Sequence, residues 1–289
     1  MNINGVEIQD TFAEAWELEV IRLVLTAVSE EIALGGAYQF VGAAGSGELG
    51  SKINAGIERV ALPHETPDGR PGVIIALTST PAERKNYLKE LVLRYHLATL
   101  VPTMAVYDFM IEGVKKETYD ISADLKDLWG GDDVSETLNG REMCVVPTLP
   151  GYYKFEKKIS IATKGSDGHI VCYGKDINAV VFAIMAAKNA IQGVDGVCPM
   201  GLGLEQVYRE KDYVPALKNK IKDSKVPDGV DSVLNLLVFG VDTAYMEKAL
   251  AYAVKAACQV PNVVKIGAMN FNGEFGPYKF HLRELVSKY

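Results

Sequence analysis

The sequence predicts an α+β fold of two related lobes, each a sheet with helices packed on one face. Apolar, β-branched runs typical of buried strands alternate along the chain with segments of helical periodicity. In addition, the order apolar strand, capped helix, Val-Pro, apolar strand occurs in residues 72–106 and again in residues 233–264. The two stretches share little sequence identity, so coincidence stays open beside duplication as the origin of this repeat.

The first half of the chain contains two strand–helix pairs. Residues 20–28 form an apolar run suited to a buried strand, and residues 29–41 follow with a helical pattern. Residues 72–77 predict a second buried strand. Residues 80–83 have the spacing of a capping box with proline at the first helical position, which predicts an amphipathic helix through about residue 100.

The second half repeats this alternation. Strands are predicted at residues 152–163, 169–173, 232–241 and 263–269. Helices are predicted at residues 177–191, with Asp176 as the N-cap, and through residue 258, with Asp242 or Thr243 as the N-cap. Two prolines in residues 144–151 favour a boundary there, so the lobes are predicted as residues 1–146 and 147–289.

Composition and charge exclude several classes of protein. The 289 residues carry a formal charge of −7, the wrong sign for a nucleic-acid-binding protein. The four cysteines are far apart in sequence, which argues against a zinc site or a disulfide framework. Residues 1–10 lack the basic and apolar regions typical of a signal peptide, and the longest apolar helical segment is shorter than the roughly 18 residues of a membrane span. We therefore expect a cytoplasmic protein without membrane or nucleic-acid partners.

The sequence supports neither a nucleotide-binding site nor a metal site. Residues 45–50 match G-x-G-x-x-G, but they follow a helical pattern where the dinucleotide fingerprint requires a strand, so a glycine-rich turn is favoured. Ser51 and Lys52 reverse the order that a phosphate-binding loop needs. The four histidines show no ligand spacing, and we expect no metal.

Three blocks of sequence resemble the formylmethanofuran:tetrahydromethanopterin formyltransferase family along nearly the whole chain. They are NGVEIQDTFAEA at residues 4–15, ETPDGRPGV at residues 65–73, and the segment at residues 263–282 that contains VVKI, Asn270-Phe271 and His281-Leu282. The resemblance implies two ferredoxin-like lobes with mainly antiparallel sheets. It also implies formyl transfer between the nitrogen of methanofuran and N5 of tetrahydromethanopterin in one-carbon metabolism. Both coenzymes would be substrates, with no bound cofactor.

The family assembles as homo-oligomers, so the resemblance implies a homodimer or homotetramer whose partners are small C1-carrier coenzymes. Loop tyrosines that look exposed agree with an interface. They are Tyr152, Tyr153, Tyr208, Tyr213 and Tyr278.

The resemblance also suggests site residues. The family assigns proton transfer to a glutamate in the strand after a P-[ED]-G-V turn, and that position is Asn235 here. An amide can donate to an oxyanion but cannot accept and return a proton near neutral pH. A buried Asn235 that only hydrogen-bonds the backbone is an equally open alternative. Thr103 is the second polar group expected near the reacting carbon. The candidate substrate-binding residues are Arg70, Pro199, Gly201, Pro215 and Lys265, and the candidate replacement carboxylates are Glu48, Glu65 and Asp108.

Asn235 and departures in residues 42–49 and 198–214 leave three hypotheses. The first is formyl or N-acyl transfer to a pterin or methanofuran-type amine. The second is a catalytically impaired paralog that binds a pterin or furan cofactor or a partner subunit. The third is an enzyme repurposed for unrelated substrates. Turnover, or binding without turnover, would separate the first two.

Overall fold

The computed structural model describes residues 1–42, 53–126, 130–201 and 210–289. The chain divides into two compact units. We call Leu18–Gly165 the N-terminal lobe, and Met1–Glu17 together with Ser166–Tyr289 the C-terminal lobe. Among the described residues, no helix is long and apolar enough to cross a membrane.

The strands and helices have the following bounds. In chain order, the strands are β1 (Asn2–Ile3), β2 (Val6–Ile8), β3 (Phe12–Ala15), β4 (Glu17–Thr26), β5 (Asn54–Ala61), β6 (Gly72–Ser79), β7 (Ala105–Asp108), β8 (Lys116–Asp120), β9 (Val134–Leu138), β10 (Arg141–Thr148), β11 (Gly151–Glu156), β12 (Lys158–Gly174), β13 (Val197–Pro199), β14 (Ser232–Gly240), β15 (Val263–Gly267) and β16 (Tyr278–His281). The α-helices are α1 (Glu30–Val41), α2 (Arg84–Thr99), α3 (Ser122–Leu125), α4 (Ile177–Ile191), α5 (Thr243–Ala257) and α6 (Leu282–Lys288).

The division between the lobes falls inside β12, whereas the sequence placed it between residues 146 and 147. The prolines behind that expectation, Pro147 and Pro150, belong to a β-hairpin in which Thr148 pairs with Gly151. Prolines occur in hairpin turns as well as in linkers between domains, because both need a residue with a fixed φ. The two prolines therefore do not identify a lobe boundary.

The N-terminal lobe has ferredoxin-like connectivity. Strands β4, β5, β6 and β7 are joined in chain order with α1 after the first and α2 after the third. Their spatial order is β5-β6-β4-β7, and every neighbouring pair is antiparallel. On the other edge of β7, β11 pairs in parallel and continues into the β9–β10–β11 meander.

The C-terminal lobe repeats the same connectivity. Strands β12, β13, β14 and β15 follow one another, with α4 after the first and α5 after the third. Their spatial order is β13-β14-β12-β15, again antiparallel throughout. The two stretches of sequence that share one pattern are β6-α2-β7 and β14-α5-β15, which occupy corresponding places in the two lobes. The prediction of two related α+β lobes is therefore confirmed.

Alternation along the central strands separates a helix-covered face from a second face in each lobe. In the N-terminal lobe, Leu23 and Leu25 pack into the core with α1 and α2, while Val24 belongs to a smaller cluster on the opposite face. In the C-terminal lobe, Cys172 packs with α4 and α5, while Val171 lies on the other face. Successive strand residues point to opposite faces, so this register decides which side chains can line a site.

Most of the predicted helix starts are confirmed. Asp176 Oδ1 accepts from Ala179 N at 2.9 Å, and Asp242 Oδ1 accepts from Ala244 N at 2.9 Å. The predicted capping box at residue 80 is wrong. Thr80 makes no side-chain capping hydrogen bond, and a 3-10 turn, Pro81–Glu83, precedes α2. The Glu83 carboxylate instead accepts from Asn86 Nδ2 at 2.7 Å.

The predicted strands 152–163 and 169–173 also need correction. The first covers most of β11 and the start of β12, and the second is the continuation of β12, which is one strand over residues 158–174. Gly165 and Gly168, which lie between the two predicted strands, are part of β12 and do not make a turn. A Cβ on Gly168 would lie 2.7 Å from Met246 Cε, so glycine there lets α5 approach the sheet closely.

Candidate functional site

A cavity of about 450 Å³ opens on the N-terminal lobe. Strands β7 and β11 contribute part of its wall, on the face of the sheet that carries Val24. The lining residues are Asp68, Arg70, Thr103, Met104, Tyr107, Leu138, Pro150, Gly151, Tyr152 and Lys154. Two of the residues singled out from the sequence, Arg70 and Thr103, therefore meet at one site.

The Asp68 carboxylate organises the floor of this cavity. Its Oδ2 accepts from Thr26 Oγ1 at 2.7 Å, from Arg70 Nε at 2.8 Å and from the Tyr107 hydroxyl at 3.0 Å. Gly69, with φ of 71°, supplies the left-handed residue that lets the chain turn between Asp68 and Arg70. The ETPDGRPGV block thus serves to build the wall of a cavity.

The Arg70 guanidinium is held on three sides. In addition to Asp68, its Nη1 donates to the Thr103 carbonyl oxygen at 2.7 Å and its Nη2 donates to Thr26 Oγ1 at 2.9 Å. Burial, and next the adjacent Asp68 charge, raise the pKa of Tyr107, so its hydroxyl stays protonated and donates to the carboxylate.

Thr103 has a backbone conformation that is rare for its residue type. Its φ is 66°, in the left-handed region that a β-branched residue adopts only at a cost. Arg70 holds its carbonyl oxygen, and its Oγ1 accepts from Val28 N at 3.2 Å. These contacts on both sides keep Thr103 in the strained conformation at the cavity wall.

The second candidate site is the helix-free face of the C-terminal sheet. Asn235 lies on β14 directly opposite Val171, which lies opposite Gly267 on β15. Asn235 is 7% exposed, and its Oδ1 has no hydrogen-bond partner among the described residues. The Gln9 side chain occupies the place that a Cβ on Gly267 would take. A buried amide oxygen without a partner is costly, which marks this position as a candidate for binding a ligand.

Two titratable groups share that face because they alternate with Val171 along β12. The His169 ring Nε2 lies 2.8 Å from Met269 N, and burial lowers the pKa of this histidine to about 4. Asp167 Oδ1 accepts from Trp16 N at 2.7 Å, and burial raises the pKa of this carboxyl to about 7. Near neutral pH the face therefore carries a neutral imidazole and a carboxyl close to its titration point.

The remaining predicted substrate-binding residues lie in the C-terminal lobe. Lys265 shares the face of Asn235, and its Nζ lies 5.2 Å from the centroid of the Tyr173 ring. Pro199 is buried at the end of β13, opposite Val238 on the helix-covered side. Gly201 has φ of 54°, and Pro215 begins a 3-10 turn. Of these four, the register brings only Lys265 to the face of Asn235.

The candidate replacement carboxylates are differently placed. The Glu65 carboxylate accepts from Leu62 N at 2.7 Å and pairs with Arg59 at 2.9 Å, so it stabilises a 3-10 turn. Both oxygens of Asp108 accept from Ser160, at 3.0 Å from its N and 2.8 Å from its Oγ. Glu48 and the glycine-rich motif at residues 45–50 lie outside the described residues.

Sequence reasoning missed several residues of these two sites. Lys154 and Tyr107 line the cavity, and Asp167 and His169 lie on the face of Asn235. Strand alternation could have found Lys154, because buried residues alternate with half-buried ones along the second half of β11. The stretches around Tyr107, Asp167 and His169 do not alternate, so no local signal marks these three residues. Within the described ranges, no cluster of three or more His, Cys, Asp or Glu side chains could hold a metal ion.

Comparison with known proteins identifies the family. The family described as formylmethanofuran-tetrahydromethanopterin formyltransferase matches residues 1–148, and the proximal lobe of the same family matches residues 207–285. The formyltransferase of that name from Methanothermobacter thermautotrophicus is 33% identical over 302 residues, which cover 99% of this chain and 100% of that protein. The chain belongs to the formylmethanofuran–tetrahydromethanopterin formyltransferase family.

Solved structures of similar proteins agree with this assignment. The formyltransferase from Methanosarcina barkeri has 30% identity and a TM-score of 0.89, covering 99% of this chain and 100% of that one. A chain of the formyltransferase/hydrolase complex from Methylorubrum extorquens, solved with methylofuran, has 24% identity and a TM-score of 0.88, covering 99% and 98%. The match to the chain from Methylorubrum extorquens shows the fold alone. The match to the Methanosarcina barkeri formyltransferase confirms the family fold that the sequence resemblance implied.

Proposed function

We propose that this chain transfers a formyl group between the nitrogen of a methanofuran and N5 of tetrahydromethanopterin, with both coenzymes as substrates and no bound cofactor. The observation that carries the proposal is the end-to-end match to formyltransferases of that name, 33% identical across 99% of the chain. A match that includes both lobes favours the transferase over a paralog that only binds a cofactor or a partner subunit.

The reaction needs no covalent bond between the protein and either substrate. The pterin nitrogen attacks the formamide carbon, a C–N bond forms, and the carbonyl oxygen becomes an oxyanion. The C–N bond to the methanofuran nitrogen then breaks, and the proton lost by the attacking nitrogen is delivered to the leaving one. The protein must orient the substrates, donate hydrogen bonds to the oxyanion and provide a path for the proton.

Asn235 is suited to the oxyanion. Its amide carries two N–H donors on a side chain that is 7% exposed, in a low-dielectric setting where such hydrogen bonds are strong. Its Oδ1, without a described partner, can accept from a substrate N–H. We assign it donation and orientation, because an amide does not titrate near neutral pH.

Asp167 is our candidate for the proton. Glu65 and Asp108 both hold their carboxylates in structural hydrogen bonds, whereas the pKa of Asp167, about 7, suits a group that accepts and returns a proton. Asp167 lies four residues from Val171, roughly 13 Å along the strand, so a proton exchanged between Asp167 and the side of Asn235 would need bridging water. Asp167→Asn keeps an acceptor for Trp16 N, and we expect it to abolish the limb of the pH–rate profile near pH 7. An unchanged profile would contradict this role.

For the cavity we propose substrate binding by Arg70, with Thr103 in its wall.

We further infer a cytoplasmic homodimer or homotetramer. Apolar side chains on the outer side of α4 favour association, since Ile177, Phe182 and Met185 are 59%, 57% and 46% exposed. Of the five tyrosines expected at an interface, Tyr152 is exposed and Tyr278 is half-buried, whereas Tyr153 and Tyr213 are buried and Tyr208 lies outside the described residues. A monomer by light scattering at micromolar concentration would contradict the assembly.

The test of function begins with isothermal titration of the purified chain with tetrahydromethanopterin and with formylmethanofuran. An absorbance assay for the formylated pterin follows in the presence of both. We expect binding of each and turnover of the pair. Stoichiometric binding without turnover would instead support the paralog that only binds.

A further inference from the structure

We propose that the cavity of the N-terminal lobe is a subsite for an oxyanion, a carboxylate or phosphate group carried on an organic ligand, and that Arg70 and Lys154 hold it. The inference rests on the proposed function only where it takes that ligand to be a substrate. The subsite itself is argued from the cavity and is tested by binding alone.

Arg70 is preorganised for such a ligand. Its contacts to Asp68, Thr103 and Thr26 use three of the five N–H groups of the guanidinium within the described residues. The side chain lines the cavity and remains 32% exposed. A planar fork already fixed by the protein loses little conformational entropy when a ligand oxygen binds to its remaining N–H groups.

The wall beside Arg70 is equally fixed. Thr103, with φ of 66°, lines the cavity in a conformation that persists only because its neighbours determine it. Backbone strain of this kind is concentrated at ligand sites. Arg70 and the strained Thr103 are joined by a hydrogen bond. The shape of the cavity is therefore fixed before any ligand binds.

Lys154 supplies the second cation. It lines the cavity from β11, and its Nζ lies 3.0 Å and 3.2 Å from the two carboxylate oxygens of Glu136 on β9. The two side chains are 32% and 40% exposed, and ion pairs of this kind contribute little stability, so an incoming anion can displace Glu136. The lining residues carry two cations against the one carboxylate of Asp68, which is already bound by Arg70, Thr26 and Tyr107.

The rest of the lining indicates an organic ligand. Met104, Leu138, Pro150 and the ring of Tyr152 contribute apolar and aromatic surface. A volume of about 450 Å³ lies in the range of small-molecule sites and far exceeds what an inorganic ion fills. The arrangement of two cations beside an apolar wall fits an acidic group at the end of a carbon chain.

The binding test uses three probes in isothermal titration: glutarate, monobutyl phosphate and the neutral glutaramide. We expect at least one of the two anions to bind at least tenfold more tightly than glutaramide, with an affinity that falls as salt is added. Tight binding of glutarate alone assigns a carboxylate, and tight binding of monobutyl phosphate alone assigns a phosphate. Equal affinity for the anions and glutaramide would overturn the proposal.

Two substitutions with opposite predictions locate the anion. Lys154→Met weakens anion binding about fivefold or more, whereas Glu136→Gln strengthens it about twofold or more because it releases Lys154. The matched control is Lys158→Met, since Lys158 forms an ion pair with Glu142 at 3.3 Å and does not line the cavity. Equal effects of Lys154→Met and Lys158→Met, or weaker binding by Glu136→Gln, would overturn the assignment. If Lys154→Met fails to fold, Glu136→Gln still decides.

Failure of this inference differs from failure of the proposed function. A chain that transfers the formyl group but does not distinguish glutarate or monobutyl phosphate from glutaramide keeps its function and loses the subsite. A chain that binds an anion at Lys154 but transfers no formyl group keeps the subsite and loses the function.

Discussion

The guanidinium of Arg70 donates from Nη1 to the carbonyl oxygen of Thr103 at 2.7 Å, and Thr103 holds a φ of 66°. The contact joins two segments that are 33 residues apart in sequence. A left-handed β-branched residue is unfavourable by itself, so this hydrogen bond and the one from Val28 N fix the conformation that the wall of the cavity requires.

The first prediction concerns that contact. Arg70→Lys keeps the charge but cannot reach Asp68, Thr26 and Thr103 together, because an ammonium lacks the planar fork of the guanidinium. We expect the free energy of unfolding to fall by about 1–3 kcal/mol. Urea titration measures it.

The control is Arg283→Lys in the C-terminal lobe. Arg283 is similarly exposed, at 35%, and pairs at 3.2 Å with an Asp10 that is 82% exposed. We expect a loss below about 1 kcal/mol there. Equal losses in the two variants would show that the fork of Arg70 has no special structural role.

The second prediction concerns the unpartnered amide on β14. Asn235→Leu removes a buried acceptor that has no described partner, so we expect the free energy of unfolding to rise by about 1 kcal/mol. The same change removes the proposed oxyanion donor, so kcat should fall at least tenfold. The control, Leu237→Met, lies two residues along the same face and preserves volume, so kcat should be unchanged. A stable Asn235→Leu chain with full kcat would remove Asn235 from the reaction.

The third prediction concerns His169 and pH. Burial lowers its pKa to about 4 from an ordinary value of 6.5. Between those values the unfolded chain binds more protons than the folded one, so the stability that His169 contributes is complete above pH 6.5 and is lost as pH falls towards 4. The free energy of unfolding of the parent should fall between pH 7 and pH 4. We expect the fall in His169→Gln to be smaller by about 1–3 kcal/mol. Urea titrations at both pH values measure this, and the exposed His64→Gln serves as the control. Parallel losses in parent and His169→Gln would contradict it.

The fourth prediction concerns Glu14, which is 1% exposed. Its carboxylate accepts from four backbone N–H groups, those of Phe271, Gly273, Phe275 and Gly276, at 2.6–2.9 Å. Burial by itself would raise the pKa of Glu14, but these four donors together lower it to about 2. Because the pKa is lowered in the folded chain, the ionised Glu14 carboxylate stabilises the fold. That stabilisation is complete above pH 4.5 and is lost as pH falls towards 2.

Glu14→Gln should therefore loosen the loop at residues 270–276, because a neutral amide oxygen replaces a charged acceptor. We expect hydrogen exchange of the four amides to accelerate at least tenfold. Glu274→Gln, an exposed change in the same loop, should leave their exchange unaltered. Similar exchange in the two variants would refute the role of Glu14.

The sequence predicted the lobes better than the sites. Strand β6 and helices α4 and α5 follow from local patterns, because an apolar β-branched run and an aspartate N-cap act over a few residues. The capping box at Thr80 failed because its hydrogen bonds compete with a 3-10 turn that the pattern does not exclude. Residues 158–163 and 169–173 were predicted in separate strands but belong to β12, because glycine at position 168 admits Met246 of α5, a tertiary contact that the local pattern does not report.

The site depended still more on tertiary contacts. Arg70 and Thr103 are 33 residues apart in sequence, and only the paired strands and turns bring them into one cavity with Lys154. Glu65 and Asp108 were candidate proton carriers by sequence together with Glu48, but the structural contacts of their carboxylates depend on tertiary structure. The raised pKa of Asp167 likewise comes from burial, which no local pattern reports.

The most direct test of formyl transfer by this chain is a single-turnover experiment with formylmethanofuran that carries ¹³C in the formyl group. The enzyme is mixed in excess with tetrahydromethanopterin, and the formyl carbon is followed by NMR. We predict that the label moves to N5 of the pterin, and that Asn235→Leu slows the transfer at least tenfold. A folded chain that binds both coenzymes while the label stays on methanofuran would contradict the account.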